Sequence, residues 1–265
     1  MQNKDDTAGS GADFEFLVHI FALEDSKIGP LLKFSGDPVC RDGSHGRRFS
    51  CIMSTATLDR SRLRKQLANH FTLPTGAVAH FRAEGYVKLK HVLSSDVLKY
   101  YGDAVTKQVI GLNTETRPMS QRSTYERAFL QIMNLWTKNE VCREFAFSKR
   151  LGRIAAELMG VKGVRIYHDQ ALYKEAGGGF TPWHADQYYW PLSSENTCTV
   201  WIPFQHTPLE MGPLAFAARS HRFQRGRNLQ ISDESEAGNE ALVRCSTARA
   251  PRASLKIKSF APTHS

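Results

Sequence analysis

Apolar positions along this chain change rhythm near Val164. Before it they recur at helical spacing, and after it they fall into short runs separated by Gly and Pro. Val97, Tyr101, Val105 and Val109 form an i, i+4 stripe behind the capping run Ser94-Ser95-Asp96, which predicts an amphipathic helix to about Ile110. Further helices are predicted over 125–136 and 149–159, with Met133, Trp136 and Met159 as core residues. A basic helical stretch runs from Arg60 to Leu67. Near the start, Phe14 to Phe21 reads as a buried strand between loop-like segments, Gly9-Ser10-Gly11 before it and Ser35-Gly36-Asp37-Pro38 after it. The organisation expected from this is an N-terminal extension over 1–52, disordered and without assigned function, then a basic helical lead-in over 53–80. A main domain over 81–237 and an atypical basic tail over 238–265 follow. Met53 has the character of a chain start, with the residues before it as an extension.

The chemistry-bearing stretch is Trp183-His184-Ala185-Asp186-Gln187. Side chains at i and i+2 of an extended segment share a face, so His184 and Asp186 point the same way. One imidazole and one carboxylate are two members of the two-His-one-carboxylate triad that holds non-haem Fe(II) with coordination positions open. A loop His hydrogen-bonded to a neighbouring carboxylate has the same spacing, so the flanks must decide. They run from Val164 through Gln170 and Lys174 to Gly177-Gly178-Gly179, then to the His/Asp pair and Tyr188-Tyr189-Trp190-Pro191. The three glycines follow a strand but open no helix, so they read as a turn rather than a phosphate cradle. Further on stand Thr199-Val200-Trp201-Ile202, Met211-Gly212-Pro213-Leu214 and Ser220-His221-Arg222.

Taken in order, these pieces resemble the phytanoyl-CoA dioxygenase family of Fe(II)- and 2-oxoglutarate-dependent oxygenases. The resemblance covers about Phe81 to Ala237 and begins with Phe81-Arg82-Ala83-Glu84-Gly85-Tyr86-Val87, which looks like the family's opening strand. It implies a mainly β fold with helical additions (α+β), a double-stranded β-helix or jelly-roll barrel. It also implies His184 and Asp186 as iron ligands and catalytic residues, with Gln170, Trp201 and Lys174 toward the cosubstrate. Trp183, Tyr188, Tyr189 and Trp190 would form an aromatic wall for the substrate. The implied cofactors are Fe(II) and 2-oxoglutarate, with ascorbate as an accessory reductant. The implied reaction is hydroxylation of a small organic or acyl substrate with dioxygen. A non-catalytic ligand- or partner-binding protein on the same fold is the alternative.

The departures from the family pattern fall late in the chain. The family's distal iron His and the Arg that pairs with 2-oxoglutarate are not identifiable, and after Ala237 the text becomes basic and rich in small residues. The chain is therefore expected to be C-terminally truncated or altered, to lack the last barrel strands and to be impaired in catalysis. His221 and His264 are weak candidates for a third ligand, and His206 is expected at the surface.

Composition bounds the remaining classes. A net charge of +9 raises the question of nucleic acid, but the basic residues are spread through helices beside acidic ones, so no nucleic-acid partner is expected. Cys40, Cys51, Cys142, Cys198 and Cys245 are odd in number and form no C-x-x-C pair, which predicts neither a zinc site nor a disulfide framework. With no signal-like start and no long apolar run, an intracellular, soluble and cytoplasmic protein without membrane contact is expected.

Overall fold

The computed structural model describes the backbone of residues 13–22 and, with side chains, residues 59–190, 192, 194–208, 211–222, 229–233 and 236–238. Helices come first among the fully described residues. They are α1 (Arg60–Ala68), α2 (Ala77–Glu84), α3 (Ser95–Leu112), α4 (Thr124–Ala128), α5 (Glu140–Ala146) and α6 (Lys149–Met159). Their starts follow from local chemistry. Side-chain oxygens of Asp59, Ser94, Ser123, Asn139 and Ser148 accept the otherwise unbonded N–H groups of the first turns of α1, α3, α4, α5 and α6. The predicted stripe of α3 is buried in full and packs with Leu63 and Leu67 of α1, Phe145 of α5 and Leu151 of α6. At about 1.5–3 kcal/mol for each large side chain, this stripe is a principal source of stability.

Two sequence expectations are corrected here. Residues 81–87 are not a strand. Phe81 to Glu84 close α2, and Gly85, at φ 86°, caps it with its N–H bonded to Phe81 O at 2.8 Å. Residues 125–136 are not one helix either. A capping box between Ser123 and Glu126 starts a helix of five residues, Phe129 is extended, and Leu130–Met133 becomes β2. The Leu-Gln-Ile-Met alternation has period two, and ladder pairing overrides helix propensity.

The strands β1 (Asp13–Ala22), β2, β3 (Val164–Lys174) and β4 (Thr197–Pro203) form one antiparallel sheet in the order β2-β3-β1-β4. Residues 13–22, expected to lie in an extension outside the domain, occupy an interior position, paired on one side with β3 and on the other with β4. The described strands make an open sheet and not a closed barrel, so the architecture is mixed helix and sheet.

The sheet has two different faces. Ala171 and Tyr173 of β3 and Cys198, Val200 and Ile202 of β4 pack with the helical core. Leu172 and Trp201 pack on the other side with Ala128, Phe129 and Tyr125. A bulge reverses the alternation at the start of β3. His19 is opposite His168 but Ile20 is opposite Ile166, so Tyr167 is the extra residue. Ile166 and Val164 thereby return to the helical core, while His168 stays on the face of Gln170 and Leu172.

Candidate functional site

The chain leaves β3 through Gly177-Gly178-Gly179, and this turn is tight. Gly177 has φ 74°, and a Cβ on Gly178 would lie 2.7 Å from Arg127 O and 2.9 Å from Glu175 O. Gly179 N–H donates to Arg127 O at 2.9 Å, which docks the turn on α4. The chain then runs through fully buried Pro182 to His184, and Asp186 opens a single 3-10 turn ending at Tyr188.

His184 and Asp186 converge. His184 Nδ1 lies 2.8 Å from Pro182 O, and Nε2 lies 3.4 Å from Asp186 Oδ1. Thr199 Oγ1 donates to Asp186 Oδ2 at 3.2 Å and ties the carboxylate to β4. Trp183 N–H donates to Glu236 Oε2 at 2.6 Å. Both imidazole nitrogens therefore face oxygen acceptors. Burial lowers the His184 pKa, but Asp186, the Pro182 carbonyl and Glu236 outweigh it, so the net shift is upward. The 3.4 Å approach of Nε2 to Asp186 Oδ1 is met either by a hydrogen on Nε2 or by a metal ion shared with Asp186.

The open face of the sheet holds the remaining residues. Gln170 Oε1 accepts from Gln131 Nε2 at 2.5 Å, and Gln131 Oε1 accepts from Tyr125 OH at 3.3 Å. This chain fixes the Gln170 carboxamide with its oxygen toward β2. The Trp201 indole N–H is buried and has no hydrogen-bond partner among the described residues. Lys174 Nζ donates to Ala128 O at 3.5 Å and Gly179 O at 3.4 Å, and its end lies against Gly212 of the Gly-Pro-Leu segment. Buried His168 has its pKa lowered by desolvation, partly offset by Asp186. Thr199, Gln131, Tyr125 and Glu236 carried no sequence signal of a role, because each acts through tertiary proximity alone.

The four aromatics do not form one wall, although Tyr188 and Tyr189 stand edge to face with ring centroids 4.8 Å apart. Trp190 stands edge-on to His168 and Tyr167, with ring centroids 6.4 and 6.1 Å away. Trp190 also lines a cavity of about 250 Å³ with Gln187, Leu192, Ser194, Glu195 and Thr197. Tyr188 and Tyr189 are exposed, and the Tyr189 hydroxyl accepts Ile231 N–H at 2.7 Å. Trp183 is half-buried. His221 lies elsewhere, against Gly85, where a Cβ would collide with its ring, and His206 is exposed. His264 is outside the described residues. A larger cavity of about 310 Å³, bordered by Arg60, Arg64, Arg143 and Glu144, sits in the helical layer. Arg60 and Arg64 there both bond Glu144, which also accepts from Tyr101, so this cavity is an ion-paired joint between helices.

One imidazole and one carboxylate, the donor types of the His-plus-carboxylate class, meet here. The model of the family described as Phytanoyl-CoA dioxygenase (PhyH) matches residues 81–257, and the chain belongs to that family. The match runs past Ala237, where the sequence motifs stop. No curated protein and no solved structure matches the chain at a significant level. The family's chemistry is oxygenation that depends on Fe(II) and 2-oxoglutarate. His184 Nε2 and Asp186 Oδ1 fit such an ion, because two ligands each about 2.1 Å from one metal and roughly at right angles stand about 3 Å apart. The fit covers two ligands. Among the described residues, no group of three His, Cys, Asp or Glu is placed to hold an ion. Cys142 and Cys198 are free thiols pushed up to about 12 by burial, which makes them poor ligands. No described helix is long and apolar enough to cross a membrane.

Proposed function

We propose that this chain binds Fe(II) through His184 and Asp186 and hydroxylates a small organic or acyl substrate, with 2-oxoglutarate and dioxygen as cosubstrates. The observation that carries this reading is the 3.4 Å approach of His184 Nε2 to Asp186 Oδ1, each residue held from behind by a separate part of the fold. Bound iron with 2-oxoglutarate supplies the oxidation of an unactivated C–H bond. The protein's own groups position and shield. Trp201 offers a buried indole N–H to a cosubstrate carboxylate, and the braced Gln170 carboxamide stands on the same face. Lys174 adds positive charge near the glycine turn, and Trp190 walls a cavity able to hold a small substrate. We read the open sheet as part of a jelly roll. Two protein ligands hold a metal more weakly than three, so turnover is reduced relative to a complete triad.

Anaerobic Fe(II) titration and succinate formation from 2-oxoglutarate test the reading. His184→Ala and Asp186→Ala should each abolish both. Metal binding that survives either substitution refutes it. The missing third ligand among the described residues favours a second reading, a ligand-binding protein without turnover. That reading predicts 2-oxoglutarate binding that persists in His184→Ala and no succinate from the unmodified chain.

A further inference from the structure

The peptide group joining Pro182 to Trp183 is gripped at both ends. Its carbonyl oxygen faces His184 Nδ1 at 2.8 Å, and its N–H donates to Glu236 Oε2 at 2.6 Å. The carboxylate and the imidazole are thus linked through a single amide plane. Pro182 is fully buried with φ fixed by its ring, and the two hydrogen bonds hold the rotation of the peptide plane that follows it. A charge-assisted bond to the N–H also polarises the amide and makes its oxygen a better acceptor.

This matters because the two ring nitrogens of His184 compete for one hydrogen. A hydrogen on Nε2 would bond Asp186 Oδ1 and remove the lone pair from the space between the two residues. A hydrogen on Nδ1 bonds Pro182 O and leaves Nε2 able to ligate. We propose that Glu236 is a positioning residue that, through the Pro182–Trp183 peptide, holds the hydrogen of His184 on Nδ1 and aims Nε2 at the space shared with Asp186. The inference rests on the metal-binding reading above and extends it to a residue far along the chain. Glu236 is itself held. Its N–H donates to Ser232 O at 3.1 Å, Asp233 Oδ2 accepts from Thr124 Oγ1 at 3.2 Å, and Ile231 N–H reaches the Tyr189 hydroxyl. The segment docks on both α4 and the turn that follows the pair.

Three variants separate positioning from folding. Glu236→Gln keeps an oxygen acceptor, Glu236→Ala removes it, and Asp233→Ala removes a different contact of the same segment. Long-range ¹H–¹⁵N spectra of histidine-labelled protein at about pH 9, above the ordinary His range, read the tautomer directly. Unmodified protein, Glu236→Gln and Asp233→Ala should show His184 with Nδ1–H, and Glu236→Ala should show a substantial Nε2–H population. Co(II) titration by calorimetry should show affinity falling about 10- to 100-fold in Glu236→Ala. Glu236→Gln should stay closer to the unmodified protein. An unchanged tautomer in Glu236→Ala overturns the inference, as does an Asp233→Ala effect equal to that of Glu236→Ala. If the unmodified chain takes up no Co(II), the proposed function falls, while the tautomer spectra still decide the role of Glu236.

Discussion

Asp169→Asn should stabilise the protein, and by an amount that depends on pH. Asp169 on β3 is fully buried on the helical side of the sheet, and its Oδ2 has no hydrogen-bond partner among the described residues. Oδ1 accepts a long bond of 3.5 Å from Trp136 N–H. Burial raises its pKa from the ordinary 3.8 to about 6, against the backbone hydrogen bonds that favour the charged form. A carboxyl whose folded pKa is raised binds its proton more tightly in the native state, so the associated stability is complete below about pH 4. It is lost as pH rises through about 6. A shift of roughly two units corresponds to about 3 kcal/mol of native-state penalty at pH 7.5. Asn keeps the Oδ1-type acceptor and carries no charge, so it avoids that penalty. Urea unfolding of both proteins should give nearly equal stabilities at about pH 3.5 and a gap approaching 3 kcal/mol at pH 7.5. At roughly 2–4 °C per kcal/mol, the melting temperature at the higher pH should rise by about 6–12 °C. An Asn variant less stable than the parent at pH 7.5, or a gap that does not grow with pH, would refute the reasoning.

Three further perturbations probe the site and the frame. Thr199→Val removes the hydroxyl that donates to Asp186 Oδ2 and should weaken Co(II) binding by about tenfold or more in a calorimetric titration, with little change in melting temperature. Gly178→Ala places a Cβ 2.7 Å from the Arg127 carbonyl and should cost about 1–3 kcal/mol, measured by urea unfolding; an unchanged midpoint would show that the turn yields. Deleting residues 1–22 exposes the facing edges of β3 and β4, so the product should aggregate or lose far-ultraviolet β signal, and a monomeric chain with an intact sheet would contradict the pairing.

Helices with strong local signals were legible in the sequence. The α3 stripe and its Ser94 cap, and the helix expected over 149–159, appear in the structure close to where the periodicity put them. The same logic failed over 125–136, where apolar spacing suited a helix but pairing with β3 decided the outcome. It failed at Phe81 because apolar residues beside a glycine read equally well as a strand end or a helix C-cap. At the site, the i, i+2 spacing brought His184 and Asp186 into view. The groups that orient them, Thr199 and Glu236, lie 13 and 53 residues from their partners and leave no local pattern. The role of 13–22 was hidden for a similar reason. The run has strand composition, but nothing in it names β3 and β4 as its neighbours.

That central strand sets the dimensions of the candidate site. Neighbouring strands stand about 4.8 Å apart, so β1 holds β3 and β4 at two such steps, roughly 9–10 Å. Gln170 and Trp201 share one register level across it, both opposite Leu17, and His168 and Thr199 share the next, both opposite His19. A direct β3–β4 pairing would halve the gap and press the Gln170 carboxamide toward the Trp201 indole. Asp186 is tied to β4 through Thr199, while Gln170 is tied to β2 through Gln131. Asp186 and Gln170 are therefore anchored on opposite sides of β1. The width between them is a property of the sheet order and not of the motif that contains His184 and Asp186.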